Sequence, residues 1–347
     1  MSGFSHRLAG KRRVGAAFLL AVSFLAFCSA AGAGPVGAGG GALKKAAFIP
    51  CWVPHAQFAG YYMALRKGIY RKHGIDLTIL PGGPERPSQT FLAEGRADFG
   101  ILGLSIAISM RDRGIRVLSL AQMLQRSPLM LVAKKSSGIR TPRDLDGKKV
   151  GLWGGLINQA QPWAFFRKFH ITPRPIRQSY TVNLFLRDGV AAASAMWYNE
   201  YHTILMSGLD PDELTTFFFN RYGFDFPEDG IYALEDTFNR DPELCRAFVK
   251  ASLEGWHYAF SHPDETLDVI MENLHRARIP ASRVHQRWML DRTRDLMAPK
   301  DVDGTEGMLR EKDYLQVSRI LFERGLIRKT TAFGEFFHPW TGRTPGK

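Results

Sequence analysis

Cysteine is scarce in this chain of 347 residues, which contains three: Cys28, Cys51 and Cys245. No two of them are spaced as a CxxC pair, and this absence excludes the usual zinc and dithiol redox sites. Cys51 and Cys245 lie far apart in the sequence, which leaves two alternatives open. They form one disulfide in an oxidising compartment, or they remain two buried thiols.

The sequence also lacks the motifs of common nucleotide and metal enzymes. It has no GxxxxGK[ST] phosphate loop and no HExxH, and its ten histidines do not cluster at the spacing of metal ligands. The segment 151–155 is rich in glycine but lacks the spacing of a dinucleotide-binding loop. We therefore predict no catalytic residue, no metal and no cofactor.

Basic runs are missing from most of the chain, although its net charge is +13. Beyond residue 43 the Lys and Arg residues are scattered and do not alternate with aromatic residues in one segment. This distribution argues against a nucleic-acid partner. It indicates a solvated surface or a mild attraction to an acidic partner.

One long apolar run is present, from Val14 to Ala31, and small residues follow it. Four basic residues precede it: Arg7, Lys11, Arg12 and Arg13. The pattern predicts a secretory signal peptide over residues 1–34, and hence a periplasmic protein; an uncleaved anchor is the alternative. A lipoprotein signal has a small residue before its cysteine, whereas Phe27 precedes Cys28, so we expect no lipid anchor there. Residues 35–43, rich in Gly and Ala, predict a flexible lead-in.

Beyond the lead-in, short apolar strands, such as those predicted at 149–153 and 176–180, alternate with amphipathic helices, of which the longest is predicted at 242–261. This order predicts an α/β fold of mostly parallel sheets covered by helices. The length suits about two domains. Interruptions near 125–128 and 222–230 predict that the chain crosses twice between two lobes. We assign 44–127 to lobe 1, 128–225 to lobe 2, 226–330 to a mostly helical return to lobe 1, and 331–347 to a C-terminal tail.

The stretch 48–68 reads as a buried strand, an aromatic loop and a helix. The loop and the helix carry Trp52, Gln57, Phe58 and Tyr61. In open α/β sheets, ligands bind at the loops that follow the carboxyl ends of the strands. We therefore predict that these four residues contact a flat ligand. The alternative, in which the rings pack the helix onto its own sheet, stays open.

Two later loops also follow predicted strands. In the first, Trp153 supplies a ring and Gly154 lets the backbone approach a ligand closely. In the second, Tyr198 supplies a ring, Asn199 donates and accepts hydrogen bonds, and Glu200 accepts from an amino group. These groups predict a heteroaromatic ligand that carries an amine or amidine. The alternative for Glu200 is an acid at a helix N-terminus, where the helix dipole favours it.

Two other segments have competing interpretations. The acidic segment 227–230 lies at the second predicted crossing and lines the cleft or forms a hinge turn. The turn is slightly favoured, and Asp229 is included among the predicted ligand-binding residues. Ser105 follows a glycine-containing loop, so it is an ordinary helix N-cap or part of an anion site. The N-cap is the favoured role.

The chain from about residue 44 to 330 resembles the thiamine-pyrimidine-synthase-like, or SsuA-like, branch of periplasmic substrate-binding proteins. The matching stretches are Trp52-Val53-Pro54, Gln57-Phe58-Ala59-Gly60-Tyr61-Tyr62, Lys67-Gly68-Ile69-Tyr70, Gly74-Ile75-Asp76-Leu77, Ala97-Asp98-Phe99-Gly100, Ser137-Gly138-Ile139, Asp144-Leu145-Asp146-Gly147-Lys148-Lys149-Val150-Gly151, Tyr198-Asn199-Glu200-Tyr201 and Glu228-Asp229-Gly230.

The resemblance implies a two-lobe, type II venus-flytrap fold with additional C-terminal helices. It implies a monomeric solute-binding protein that delivers a thiamine-pyrimidine precursor or similar ligand to an ABC permease in the inner membrane. It also implies that Trp52, Trp153, Tyr198, Asn199 and Glu200 hold the ligand between the lobes.

The same family includes eukaryotic thiamine-pyrimidine synthases, which carry a cysteine-rich iron motif and a sacrificial His. That branch has a His where this chain has Phe58, and the usual Asp and Asn are Cys51 and His55 here. A cysteine cluster is also absent. These departures make the enzyme the second hypothesis, and a periplasmic sensor module is the third.

Overall fold

The computed structural model describes residues 42–155, 157–300 and 306–341. The predicted signal peptide, Cys28 and most of the lead-in lie outside the described residues. Residues 41–347 form one compact unit. Within the described part of the chain, no helix is long and apolar enough to cross a membrane.

In the described part of the chain, ten strands form two five-stranded sheets. In chain order they are β1 (Lys44–Ile49), β2 (Ile75–Ile79), β3 (Phe99–Leu102), β4 (Val117–Gln122), β5 (Leu129–Lys134), β6 (Lys149–Trp153), β7 (Arg174–Gln178), β8 (Ala192–Met196), β9 (Leu214–Phe218) and β10 (Gly230–Leu234). The first sheet has the order β2-β1-β3-β10-β4, and the second has the order β7-β6-β8-β5-β9. These sheets confirm the predicted two-lobe α/β class.

One strand in each sheet runs against the others. β10 is antiparallel to β3 and β4, and β5 is antiparallel to β8 and β9. Both strands follow a passage of the chain between the sheets, at 123–128 and at 219–229. In both cases the chain enters the sheet at the edge where the parallel strands end. The entering strand, β5 or β10, therefore runs in the opposite direction to them. The two passages overlap the predicted crossings, while the exact lobe boundaries stay a prediction.

The helices surround these sheets. They are α1 (Ala59–Arg66), α2 (Ile69–Lys72), α3 (Ser88–Ala93), α4 (Leu104–Asp112), α5 (Ala160–Phe169), α6 (Asn183–Leu186), α7 (Glu200–Met206), α8 (Glu235–Arg240), α9 (Pro242–Ser261), α10 (Pro263–Arg276), α11 (Arg283–Met297), α12 (Glu311–Glu323) and α13 (Phe333–Phe336). Short 3₁₀ turns lie at Ala56–Phe58, Lys135–Ser137, Pro142–Leu145, Pro211–Glu213 and Phe219–Tyr222.

The long helix α9 packs across the core of the first sheet. Asp241 caps it by accepting a hydrogen bond from the backbone N–H of Leu244 (2.9 Å), and Pro242 occupies the first turn, where no N–H is needed. The ring of Phe248 stacks on Phe99 with centroids 4.0 Å apart. Such burial of aromatic area provides much of a core's stability.

A glycine contact lets α9 approach α1 closely. A Cβ built on Gly255 would lie 2.3 Å from the carbonyl oxygen of Gly60, which is too close for any side chain. Close packing here matters for the site, because α1 continues directly from the loop that follows β1.

The segment 333–338 also packs against the first sheet. The predicted C-terminal tail contains α13, whose Phe333 and Phe336 are buried. The backbone N–H of His338 donates to the carbonyl oxygen of Ser119 on β4 (2.9 Å). This segment therefore packs on an edge strand of the first sheet.

Candidate functional site

A cavity of about 550 Å³ lies between the two sheets, at the edge where their parallel strands end. The first sheet contributes the loop after β1, the start of α4 and the segment before β10. The second contributes the loops after β6, β7 and β8. Eight of the ten predicted ligand-binding residues line this cavity: Trp52, Gln57, Trp153, Gly154, Tyr198, Asn199, Glu200 and Asp229.

Phe58 and Tyr61 do not line the cavity, and their predicted ligand contact does not fit this placement. Both are buried, with 0% and 1% of their surface exposed. Tyr61 packs its ring on Phe48 (4.7 Å between centroids) and against the edge of Trp256 (5.8 Å). The 3₁₀ turn before α1 directs these two rings into the core, which was the alternative that the sequence left open.

Asp229 forms the polar centre of the first-lobe wall. Its carboxylate accepts hydrogen bonds from Gln57 Nε2 (2.7 Å) and from the thiol of Cys51 (3.6 Å). Burial raises the pKa of Asp229 to about 6, and these two hydrogen bonds oppose the rise. Its backbone has φ +55°, a left-handed conformation that non-glycine residues adopt at a cost. Glu228 and Asp229 therefore line the cavity, and residues 224–229 form irregular backbone rather than the turn that the sequence slightly favoured.

Glu228 lines the cavity beside Asp229, although the sequence singled out only its neighbour. Its carboxylate lies against Gly103, where a Cβ would come within 2.3 Å of Oε2. Burial, together with the charge of Asp229, raises the pKa of Glu228 to about 8. Gly103 is the N-cap of α4, so the predicted N-cap role of Ser105 is wrong, and Ser105 instead lines the cavity from the first turn.

Glu200 supplies the carboxylate of the second-lobe wall. It accepts hydrogen bonds from the backbone N–H of Met196 (2.9 Å) and from Asn199 Nδ2 (2.8 Å). Burial raises the pKa of Glu200 to about 7, even though these hydrogen bonds favour the charged form. Glu200 is the first residue of α7 and so is an acid at a helix N-terminus, and it also lines the cavity, while its contact with a ligand stays a prediction.

Aromatic rings from both lobes meet at the cavity. Trp52 comes from the first lobe and Tyr180 from the second, and their ring centroids lie 4.7 Å apart. Sequence reasoning missed Tyr180 because it extended the strand to this residue, whereas β7 ends at Gln178. The available signal was that Tyr180 lies just after the end of a strand, as Tyr198 does, while Trp153 is the last residue of its strand.

The ionisable side chains around the cavity are mainly acidic. Among the described lining residues, three carry carboxylates and one, Arg177, carries a guanidinium. Arg177 lies beside Gly154 on an exposed part of β7. The cavity therefore suits a ligand with several N–H donors better than an anion.

Cys51 and Cys245, the two cysteines among the described residues, do not form a disulfide bond with each other. Cys51 borders the cavity as a free thiol, and Cys245 is buried in α9. Burial and the charge of Asp229 raise the pKa of Cys51, and burial raises that of Cys245 to about 12. Among the described residues, no three His, Cys, Asp or Glu side chains are grouped so as to hold a metal ion.

Two curated relatives match most of this chain and are binding proteins by name. The riboflavin-binding protein RibY of Chloroflexus aurantiacus is 25% identical over 295 residues, covering 80% of this chain and 82% of the relative. The formylaminopyrimidine-binding protein of Halalkalibacterium halodurans is 26% identical over 278 residues, covering 76% and 79%. A shorter match, to 4-amino-5-hydroxymethyl-2-methylpyrimidine phosphate synthase of Schizosaccharomyces pombe, has 27% identity and covers 38% and 37%.

The fold is shared with solved periplasmic binding proteins. The aliphatic sulphonate binding protein SsuA of Escherichia coli superposes with a TM-score of 0.66 at 14% identity, covering 84% of this chain and 91% of SsuA. At this identity the likeness concerns the fold alone. The NMT1/THI5-like family model matches residues 55–266, which include most of the cavity wall. On the strength of that match, the chain belongs to the NMT1/THI5-like family.

Proposed function

We propose that this protein is the extracytoplasmic solute-binding component of an ABC importer. We propose further that it closes its two lobes around a nitrogenous heteroaromatic ligand, such as a thiamine-pyrimidine precursor, and delivers it to a membrane permease. The observation that carries this proposal is the cavity between the sheets, where aromatic rings and buried carboxylates from both lobes meet. The binding-protein names of the long matches support the same conclusion.

The carboxylates would orient the ligand. Glu200 and Asp229 already accept hydrogen bonds from protein donors, which hold their oxygens at fixed positions on opposite walls. Burial raises the pKa of both carboxyl groups, so their surroundings disfavour the charged form. A ligand N–H group would stabilise the charged form and so would bind more tightly than a group that only accepts hydrogen bonds.

The aromatic rings would supply most of the contact area. Trp52 and Tyr180 lie at the mouth of the cavity, and Tyr180 is 61% exposed. A flat ligand ring that stacks on them would bury apolar area from both lobes at once. Closure would take place about the segments 123–128 and 219–229, because these join the two sheets.

The cavity size sets the range of candidates. A volume of about 550 Å³ lies within the range of roughly 300–1,000 Å³ found for ligand pockets. It admits one pyrimidine ring with a substituent and also a larger fused ring system. Formylaminopyrimidine and riboflavin, the ligands in the names of the two long matches, are therefore the two probes to test first.

A thermal-shift screen of the chain from residue 35 onward tests the proposal. The panel contains formylaminopyrimidine, 4-amino-5-hydroxymethyl-2-methylpyrimidine, riboflavin and an alkanesulfonate. A ligand at 100 times its dissociation constant should stabilise the folded state by about 2.7 kcal/mol. We expect a nitrogenous heteroaromatic compound to raise the melting temperature, Glu200→Gln to reduce that shift, and the exposed control Glu85→Gln to keep it. A shift with the sulfonate alone would overturn the ligand class.

The synthase alternative has less support from this chain's residues. Phe58 stands where the resemblance places the synthase His, and its ring is buried in the core. His55 remains the only histidine of the opening loop, and burial lowers its pKa to about 4. Bound iron together with formation of a pyrimidine product would establish the enzyme and overturn the transport role.

A further inference from the structure

Helix α11 lies against both of the loops that carry ligand-binding residues. Its Gln286 Oε1 accepts a hydrogen bond from the backbone N–H of Ala56, in the loop after β1 (2.8 Å). The adjacent His285 contacts Asn199 Oδ1, in the loop after β8, through its Nε2 (3.0 Å). His285 and Gln286 are 8% and 1% exposed. α11 lies outside the matched segment 55–266, so the family match does not describe this support.

The hydrogen bonds around Asn199 determine where the protons lie. Asn199 Nδ2 donates to Glu200 Oε1, so its Oδ1 is the acceptor that faces His285. His285 therefore carries its proton on Nε2, and its Nδ1 is bare. That Nδ1 lies 2.9 Å from Nδ1 of His202, so His202 must donate from Nδ1. One polar chain thus runs from α7 through α11 to the carboxylate in the cavity.

Packing around this series of hydrogen bonds restricts the side chains that form it. The ring of His202 stacks on Trp288 of α11, with centroids 4.7 Å apart and planes 12° apart. Trp288 Nε1 donates to the carbonyl oxygen of Trp197 (3.1 Å), one residue before Tyr198. The guanidinium of Arg292 lies 5.0 Å and 4.8 Å from the ring centroids of these two tryptophans. α11 therefore holds the start of α7 through several independent contacts.

We propose that His285 is a positioning residue for the ligand site. It fixes the orientation of the Asn199 carboxamide, and Asn199 in turn fixes the Glu200 carboxylate that faces the cavity. Through Gln286 and His285, α11 supports the ligand-binding loops of both lobes. The effect on ligand affinity rests on the proposed function, whereas the proton arrangement does not.

The neutral state of His285 agrees with this role. Burial, followed by the neighbouring His202, lowers the pKa of His285 to about 4. Burial also lowers the pKa of His202. Both rings are therefore neutral at pH 7, and each has one donor and one acceptor, as the polar chain requires.

Nuclear magnetic resonance of the ligand-free protein tests the arrangement directly. Long-range ¹H–¹⁵N correlations at pH 7 should show His285 as the Nε2–H tautomer and His202 as the Nδ1–H tautomer, with assignments from single His→Gln variants. The opposite tautomer at His285, or a doubly protonated ring, would overturn the proposal. This arm needs no ligand, so it decides the inference even if no probe binds.

Binding measurements test the effect on the site. Formylaminopyrimidine by calorimetry and riboflavin by fluorescence quenching are the probes. His285→Leu should weaken binding by about five- to tenfold, the loss expected for one buried hydrogen bond. His285→Gln keeps a donor near Asn199 and should stay within about threefold of the unmodified protein. The exposed control His275→Leu should leave the affinity unchanged.

These variants distinguish an effect of His285 on the ligand site from an effect on the stability of the fold. A His285→Leu protein with a lowered melting temperature but unchanged affinity would give His285 a structural role only, and would overturn the proposal. Failure of the unmodified protein to bind either probe would count against the proposed ligand class. The tautomers would then decide the inference about α11.

Discussion

Replacing Glu200 with glutamine should raise the free energy of unfolding of the ligand-free protein by about 3 kcal/mol more at pH 8 than at pH 4.5. Glutamine never carries the charge, but its amide nitrogen cannot accept, so the variant loses one of the hydrogen bonds from Met196 and Asn199 equally at both pH values. Burial raises the pKa of Glu200 from 4.5 to about 7, so the folded state holds this proton more tightly than the unfolded state does. The contribution of Glu200 to the free energy of unfolding therefore falls as the pH rises from 4.5 through 7, because the charged form is unfavourable in the folded state.

The size of the effect follows from that difference in pKa. A rise from 4.5 to about 7 corresponds to a penalty of about 3 kcal/mol on the unmodified protein at pH 8. Glu200 is only 9% exposed, so solvent screening reduces this figure little. At pH 4.5 the penalty falls to less than about 0.5 kcal/mol, because the folded protein is then protonated.

Urea unfolding of the ligand-free protein at both pH values measures this prediction. The quantity to compare is the difference in the free energy of unfolding between Glu200→Gln and the unmodified protein. The exposed control Glu85→Gln should change it by less than about 0.5 kcal/mol at either pH. A difference that is the same at pH 8 and at pH 4.5 would refute the reasoning. Such a result would mean that the cavity solvates the charge of Glu200 well.

Three further predictions concern the packing of α9 on α1, the thiol of Cys51 and the aromatic rings at the mouth of the cavity. Gly255→Ala should lower the free energy of unfolding by about 2 kcal/mol in urea titrations, because its Cβ would overlap backbone of α1, while Gly334→Ala, in open space, should cost little. Iodoacetamide at pH 8 should alkylate Cys51 at least about tenfold more slowly than free cysteine, because the pKa of the Cys51 thiol is raised. Mass spectrometry measures the rate, and a rate equal to that of free cysteine would contradict the prediction. Tyr180→Ala should remove the contact with Trp52 and favour the open arrangement by about 1 kcal/mol, seen as a larger radius of gyration in solution scattering; an unchanged radius contradicts it.

Much of the secondary structure could be predicted because local patterns determine it. The predicted helix 242–261 agrees with α9 at both ends, since Asp241 and Pro242 start a helix in any context. The strand at 149–153 also agrees with β6. The errors are at boundaries such as 178–180, where apolar pattern and propensity change little between strand and loop.

The composition of the site could be predicted in part. Residues at the carboxyl ends of parallel strands gather at one edge of a sheet, so strand order placed Trp52, Trp153 and Tyr198 at the cavity. Phe58 and Tyr61 could not be separated from them, because the sequence does not show which way an aromatic ring faces. Phe58 lies in a 3₁₀ turn and Tyr61 lies on α1, and both rings face the core.

The sequence alone thus determined the fold class, the family and most of the loops that line the cavity. These depend on local periodicity and on short motifs, which can be read directly from the sequence. The folded chain alone decided which distant residues meet. Asp229 reaches Gln57 across 172 positions, and His285 reaches Asn199 across 86. Both contacts exist because the chain returns to the first lobe after building the second, and no local pattern records where a returning segment will pack.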